Sequence, residues 1–462
     1  MSVELIGLIT VILVPFGLLA KAENTAAVMG VLSMLVAAAA LSVGPLTINP
    51  ALLFLPIFAF KAFLIAPSWR IGKSGVFFLL FLLYSFLVTF FAPRFFADQI
   101  QVVWSARDAL GSKYARPLAP GAGNITQTLY AVAGAICFFS SMKIFEKGRL
   151  QSVYQLIFIV TGANIIISIA DFVGYYAGMK DILSFIRNGN YVLLTNVEFA
   201  GIKRMTGSFT EASFFATYNL VLLALNFSLF TDGIHRKISG FFALTAFFMI
   251  VLSVSTTGYV GLAVYLLWMF GSHLLSLLKR GEAGAFLSFS TVFLFCGIAL
   301  STLLYFINLK TGILDQLIFD KMDSQSGIER SFWNRTAWNS FLDSYGLGIG
   351  FGSTRASSFL LVLLSNTGLA GTILYFLFIT KATRLPSAEL PGKHETTIVR
   401  ACRKGVVANL IGALLSSTVF DLGFTIYLIA GISAGILLSL NKPTEEKRDN
   451  IMRPNSQTNW VR

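Results

Sequence analysis

The stretch Ser74–Ala92, SGVFFLLFLLYSFLVTFFA, runs for nineteen residues without a charged side chain. Built as a helix it would extend about 28 Å, close to the ~30 Å hydrocarbon core of a bilayer. Runs of this kind recur along the chain. Of its 462 residues, 55% are hydrophobic, 44 are phenylalanine and only 12% are charged, against about 25% charged in a soluble domain. Mean hydropathy is +0.74. A transmembrane β-barrel would show short alternating segments instead. The composition predicts an all-α polytopic membrane protein.

About thirteen spans are predicted, at roughly 4–20, 25–43, 50–66, 74–92, 125–142, 153–177, 213–231, 239–254, 258–277, 286–307, 357–380, 405–420 and 422–440, and a count of twelve or fourteen also fits. They form one transmembrane domain over 1–440. A tail over 441–462, rich in Lys, Glu, Asn and Pro, reads as disordered and cytoplasmic. Alternate connections are basic: Arg70/Lys73, Lys143/Lys147/Arg149, Arg236/Lys237, Lys279/Arg280 and the stretch from Lys381 to Lys404. Short basic connections mark the cytoplasmic side. Three longer loops, 93–124, 178–212 and 308–356, then face outward.

The net charge of +13 does not indicate nucleic acid, because the cations lie between apolar runs where they set topology. Cys137, Cys296 and Cys402 are too few for a disulfide framework. His235, His273 and His394 are dispersed, so no metal site or cofactor is expected. No cleavable signal peptide is read at the start, where the first apolar stretch lacks a basic lead. No Gly-x-x-x-x-Gly-Lys loop is present, and the cytoplasmic connections are too short for a nucleotide-binding domain. No span carries a ladder of acids of the kind a proton-coupled transporter uses. Lys61 reads as a snorkelling residue, Asp421 as a turn or cap residue, and Asp171 as a cavity-lining candidate near the outer end of its span.

Function is therefore sought in the outer loops. The second ends in GIKRMTGSFTEASFFA, bringing Lys203, Arg204 and Glu211 to the membrane surface. The third contains Ser326–Arg355, SGIERSFWNRTAWNSFLDSYGLGIGFGSTR. Ser326 followed by Glu329 resembles a capping box that opens a surface helix. Trp333 and Trp338 suit a membrane interface. The alternating Gly346, Gly348, Gly350 and Gly352 let the backbone approach a ligand closely, or turn sharply back into the membrane. Arg330 and Arg335 would point about 140° apart on one helix, so both cannot face one small ligand. Arg330 shares its face with Asn334, whereas Arg335 lies beside Ile328 and Leu342. Arg330 is favoured as the functional one. Arginine's planar fork pairs with phosphate oxygens, which suggests a diphosphate ligand.

Three stretches carry a resemblance to the O-antigen polymerase and ligase superfamily, which includes Wzy-type exopolysaccharide repeat-unit polymerases. Arg204-Met-Thr-Gly207 leading to Glu211-Ala-Ser213 is similar to the family's Arg-x-x-Gly followed by Glu-Pro-Ser. Leu252-Ser-Val-Ser-Thr-Thr-Gly258 is similar to its Ser/Thr-rich break between two spans. Arg330 through Trp333 to Gly348-Ile-Gly350 is similar to the Arg…Trp…Gly-x-Gly pattern of its large outer loop. The similar layout covers about residues 120–440.

The resemblance implies a GT-C-type glycosyltransferase of the bacterial inner membrane. Such enzymes join undecaprenyl-diphosphate-linked oligosaccharides at the periplasmic face without ATP or a required metal. By that carry-over Arg204 and Arg330 bind the donor diphosphate, and Glu211 binds or deprotonates the acceptor hydroxyl. Lys203, Asp171, Asn334, Arg335, Gly348, Gly350 and Arg355 complete the candidate substrate-binding set. Membrane lipids are expected partners, as are a flippase and a chain-length regulator of the same pathway. The chain departs from the pattern at Ala212, where the family has proline. It also lacks the ligase branch's histidine after the glycine run, where Ser357, Ser358 and Phe359 stand. That favours a polymerase over a ligase. A flippase of lipid-linked oligosaccharides is the competing reading from another class; it would need its cations in a central cavity.

Overall fold

The computed structural model describes residues 2–43, 46–65, 70–104, 114–190, 192–199, 201–280, 325–385 and 393–440. Among the described residues there are thirteen α-helices. They are α1 (Leu5–Leu19), α2 (Ala22–Ser33), α3 (Pro50–Ile65), α4 (Gly72–Phe95), α5 (Ala122–Phe145), α6 (Leu150–Tyr176) and α7 (Ala212–Thr231), then α8 (Arg236–Leu252), α9 (Thr256–Arg280), α10 (Gln325–Asp343), α11 (Phe359–Thr383), α12 (Lys393–Ser416) and α13 (Phe424–Leu440). Six of them, α4, α5, α6, α7, α9 and α11, are long and apolar enough to cross a membrane. This is the architecture of a multi-pass membrane protein. The expected span at 286–307, the loop up to residue 324 and the tail at 441–462 lie outside the described residues.

Short antiparallel pairings decorate alternate connections. β1 (Ser2–Val3), β2 (Leu41–Val43) and β3 (Leu46–Ile48) form one sheet. β4 (Gln101–Val102) pairs with β5 (Arg116–Pro117), and β6 (Glu198–Phe199) pairs with β7 (Ile202–Lys203). The intervening connections form the basic end. There Arg70 and Lys143 meet Glu146, Arg149 meets Glu23, and Arg400 meets Asp232 at 3.0 Å. Lys61 donates to the Leu18 carbonyl at 2.9 Å, so it closes the C-terminus of α1.

The core is aromatic. Phe78 on α4 stacks on Phe378 of α11 at 4.1 Å between centroids, and Phe138 of α5 meets Phe378 edge-on at 5.0 Å. These rings bury large area at fixed geometry and tie three helices together. Between α6 and α7 the contacts are polar. Asn164 donates to Asn219 at 2.9 Å, and Asn226 donates to Thr161 at 3.0 Å. Buried side-chain amides of this kind join helices where no water competes.

The span expected at 25–43 is only half a helix. α2 stops at Ser33 and the chain continues as buried turns and extended backbone. Its twelve residues reach about 18 Å, too short to cross alone. Non-helical backbone at such depth must be satisfied by protein, and here it is. Ala37 N–H donates to Ser208 O at 3.0 Å, and Ala37 O accepts from Gly189 N–H at 3.0 Å. Asn188 both donates to Ala39 O and accepts from Ala39 N–H. This segment is the seat on which the second outer loop rests. A second break lies in α11, where Gly368 has φ 66° and ψ −174°.

Candidate functional site

The turn Arg204–Gly207 is set by a buried ionic clamp. Asp171, near the C-terminal end of α6, accepts from Arg187 at 2.7 Å and from Lys203 at 2.8 Å through Oδ1. Its Oδ2 accepts from the backbone N–H groups of Thr206 and Gly207, both at 2.9 Å. Lys203 is fully buried, and its three ammonium protons go to Asp171, Thr195 O and Arg204 O. Burial pulls the Lys203 pKa down, against the opposing field of Asp171. Arg187 closes the ring by donating to Gly207 O through Nε at 2.8 Å. Both Asp171 oxygens and all three Lys203 ammonium protons are used inside the protein. Asp171 and Lys203, expected in the substrate-binding set, hold the loop in place.

The clamp turns Arg204 outward onto the break between α8 and α9. Arg204 Nε donates to Ser253 O at 3.4 Å, and Met205 N–H donates to Leu252 O at 3.0 Å. Val254, beside them, has φ 44°, an uncommon conformation for a β-branched residue. Thus the first two of the three stretches that carry the family resemblance touch each other. Glu211 follows as the N-cap residue of α7, with its carboxylate accepting from the Ser213 hydroxyl.

The third outer loop delivers the rest. The chain is already helical at Gln325, so Ser326 lies inside the first turn of α10 and not at its cap. Arg330 and Asn334 are half-buried, while Arg335 is exposed. Asn334 Oδ1 accepts from Ser357 N–H at 2.7 Å, which ties α10 to the start of α11. Trp333, expected at the bilayer interface, is 9% exposed and lies under the Arg355 guanidinium, 3.8 Å from ring centroid to Cζ. Trp338 is the exposed one, at 44%.

The glycine run has a packing role. Gly348 and Gly350 are buried, with φ 87° and 94°. Gly350 N–H donates to Asn366 O at 2.8 Å and Ile349 N–H to Ser365 O at 2.9 Å. A Cβ on Gly348 would collide with the Gly368 backbone, and one on Gly350 would lie 2.8 Å from Thr89 Cα. Of the two readings open in the sequence, the sharp return into the bundle describes these residues. They seat the loop between α4 and the break in α11.

What converges is a charged cluster drawn from two loops. Burial lowers the Arg355 pKa, with Glu329 and Glu211 acting against that shift and Arg330 acting with it. Burial also lowers the Arg204 pKa, with Glu211 and Tyr259 opposing. Glu211 thus lies within electrostatic range of both Arg204 and Arg355. Arg355 Nε is buried without a hydrogen-bond partner, and Arg330 has no ion pair among the described residues. Arg355 thus lies in the field of Arg330, Glu329 and Glu211, and Arg204 in that of Glu211. Among the described residues no group of His, Cys, Asp and Glu is arranged to hold a metal. Compared with known protein families, curated proteins and solved structures, the chain matches none.

Of the expected residues, Arg204 and Arg355 share the field of Glu211, Arg330 acts on Arg355, Asn334 ties α10 to the start of α11, and Arg335 is exposed. Arg187, Tyr259 and the stacking role of Trp333 did not emerge from the sequence. Arg187 sits in an irregular loop with no motif around it. Tyr259 follows Gly258 directly, so its proximity was implied by the Ser/Thr-rich break without being drawn out.

Proposed function

We propose that the chain is a membrane glycosyltransferase that polymerises undecaprenyl-diphosphate-linked oligosaccharide repeat units at the periplasmic face of the bacterial inner membrane. The observation behind this reading is that Arg204 and Arg355, residues of two separate loops, both lie in the electrostatic field of Glu211. In the proposed reaction an acceptor sugar hydroxyl attacks C1 of the donor sugar. The C1–oxygen bond to the lipid diphosphate breaks, and its electron pair stays on the diphosphate. Arg204, Arg330 and Arg355 stabilise that departing charge, the largest demand in such a displacement. The hydroxyl proton passes to Glu211, which requires hydrogen-bond reach in the bound complex. Stacking on Trp333 holds the Arg355 fork in one plane, so little freedom is lost when it meets a phosphate.

A flippase would need its cations in a central cavity, whereas Arg204, Arg330 and Arg355 lie in loops at one end of the bundle. The deeper Arg187 and Lys203 are both bound to Asp171. The test is the lipid-linked glycan pool of a strain lacking the gene. Single repeat units on undecaprenyl diphosphate, facing outward, are the expected product. Units accumulating only on the inner leaflet would assign the chain to transport.

A further inference from the structure

The opposite end of the bundle carries a second charged feature that the proposed reaction does not use. Lys21, Lys61, Arg149 and Glu23 line an open cleft of about 250 Å³, walled by Ala22, Leu64 and Ile65. Three cations face one acid. Glu23 is 4% exposed and is paired with Arg149, which leaves two cationic charges uncompensated. Two helices begin here, α2 after Lys21 and α6 after Arg149, and neither N-cap supplies a side-chain hydrogen bond. The C-termini of α1 and α3 end here as well, so opposing helix dipoles offset each other and the side chains set the charge of the cleft. The excess of cationic side chains favours a phosphate.

The apolar surface beside it narrows the choice of phosphate. Leu64 is 59% exposed, Phe63 62%, and Leu18 and Leu19 at the end of α1 are 43% and 89% exposed. These side chains continue from the cleft wall onto the outer surface of α1 and α3. A soluble anion has no use for them. An amphiphile can place its phosphate in the cleft and its acyl chains along α1 and α3.

We propose that this cleft is a headgroup site for one anionic phospholipid of the basic-end leaflet, held by Lys21, Lys61 and Arg149 and independent of the site at the other end. Lys61 keeps its bond to Leu18 O at 2.9 Å and has two further protons for the ligand. The lipid then bridges α1, α2, α3 and α6, in addition to the Arg149–Glu23 ion pair and the Lys61 capping bond.

The test is native mass spectrometry of the detergent-purified full chain. It is titrated with phosphatidylglycerol, with phosphatidylcholine of the same acyl chains, and with inorganic phosphate. One phosphatidylglycerol should bind about tenfold tighter than phosphatidylcholine, and inorganic phosphate should not displace it. Lys21→Gln should weaken that lipid about fivefold, since one cation near an anionic headgroup contributes about 1 kcal/mol. Lys21→Arg should restore it. Lys147→Gln removes an exposed cation of the same end outside the cleft, and should leave binding unchanged. Equal binding of the two lipids, or equal loss in Lys147→Gln, would overturn the proposal. Displacement by inorganic phosphate would overturn it in favour of a soluble anion.

Discussion

At the scale of single residues, charge pairing separates the groups that build this end of the protein from those left to act. Asp171 holds two cations and two backbone amides, with 1% of its side chain exposed. Asp171→Ala would leave Lys203 and Arg187 buried without their partner, a loss of about 3–5 kcal/mol by comparison with other broken buried pairs. The expected outcome is a lower thermal unfolding temperature in detergent, with Asp171→Asn intermediate because it retains acceptors. An unchanged temperature for Asp171→Ala would remove the clamp from the account. The sequence indicated part of this. Helix periodicity alone set Arg330 apart from Arg335, because the helical turn fixes their directions. It could not distinguish Lys203 from Arg204, adjacent residues with opposite fates. That distinction depends on Asp171, 32 positions away on another helix, and on Arg187, which no local pattern marks.

At the scale of elements, two interruptions of helix position the site. One is the buried stretch after α2, which supports Ser208 and Asn188. The other is the break at Gly368, whose backbone packs on Leu347 and Gly348. Gly368→Ala would force a Cβ onto the Leu347 carbonyl and hold an L-residue at φ 66°. The backbone conformation alone, a region essentially reserved for glycine, costs roughly 1–3 kcal/mol, and the collision adds to it. The predicted result is a glycine loop freed from α11 and cut by protease near residues 346–352, with the helical content of the protein retained. Resistance equal to wild type would contradict the packing role. The glycine run was visible in the sequence, but whether it faced a ligand or a helix was not. The partner that decides the matter, Gly368, sits inside an apolar run that reads as an ordinary span. The half-length of α2 was hidden for a related reason: residues 34–40 are apolar enough to pass for helix, and only tertiary hydrogen bonds reveal that they are not.

For the whole molecule, the basic connections and the charged cluster occupy opposite ends of the same helices. α6 shows this directly, with Arg149 at its start and Asp171 near its finish. The multi-pass character followed from hydropathy, since apolar run length is a property of the sequence itself. Sidedness is a prediction. A cysteine at the exposed Ser326, in a background cleared of native cysteines, should react with an impermeant thiol reagent added outside intact cells; labelling only after lysis would invert the topology. In the proposed reaction Arg330 and Arg355 act on the substrate diphosphate, whereas Arg335, on the other side of α10, does not. The direct measurement is the polymer and lipid-linked glycan profile of cells carrying Arg330→Ala, Arg355→Ala or Arg335→Ala at matched protein levels. Loss of one such charge-assisted contact in an active site typically lowers rate by about 10²–10³. Arg330→Ala and Arg355→Ala are predicted to abolish long polymer and accumulate single lipid-linked units, with Arg335→Ala close to wild type. Normal polymer in the first two, or its loss in Arg335→Ala alone, would contradict the account.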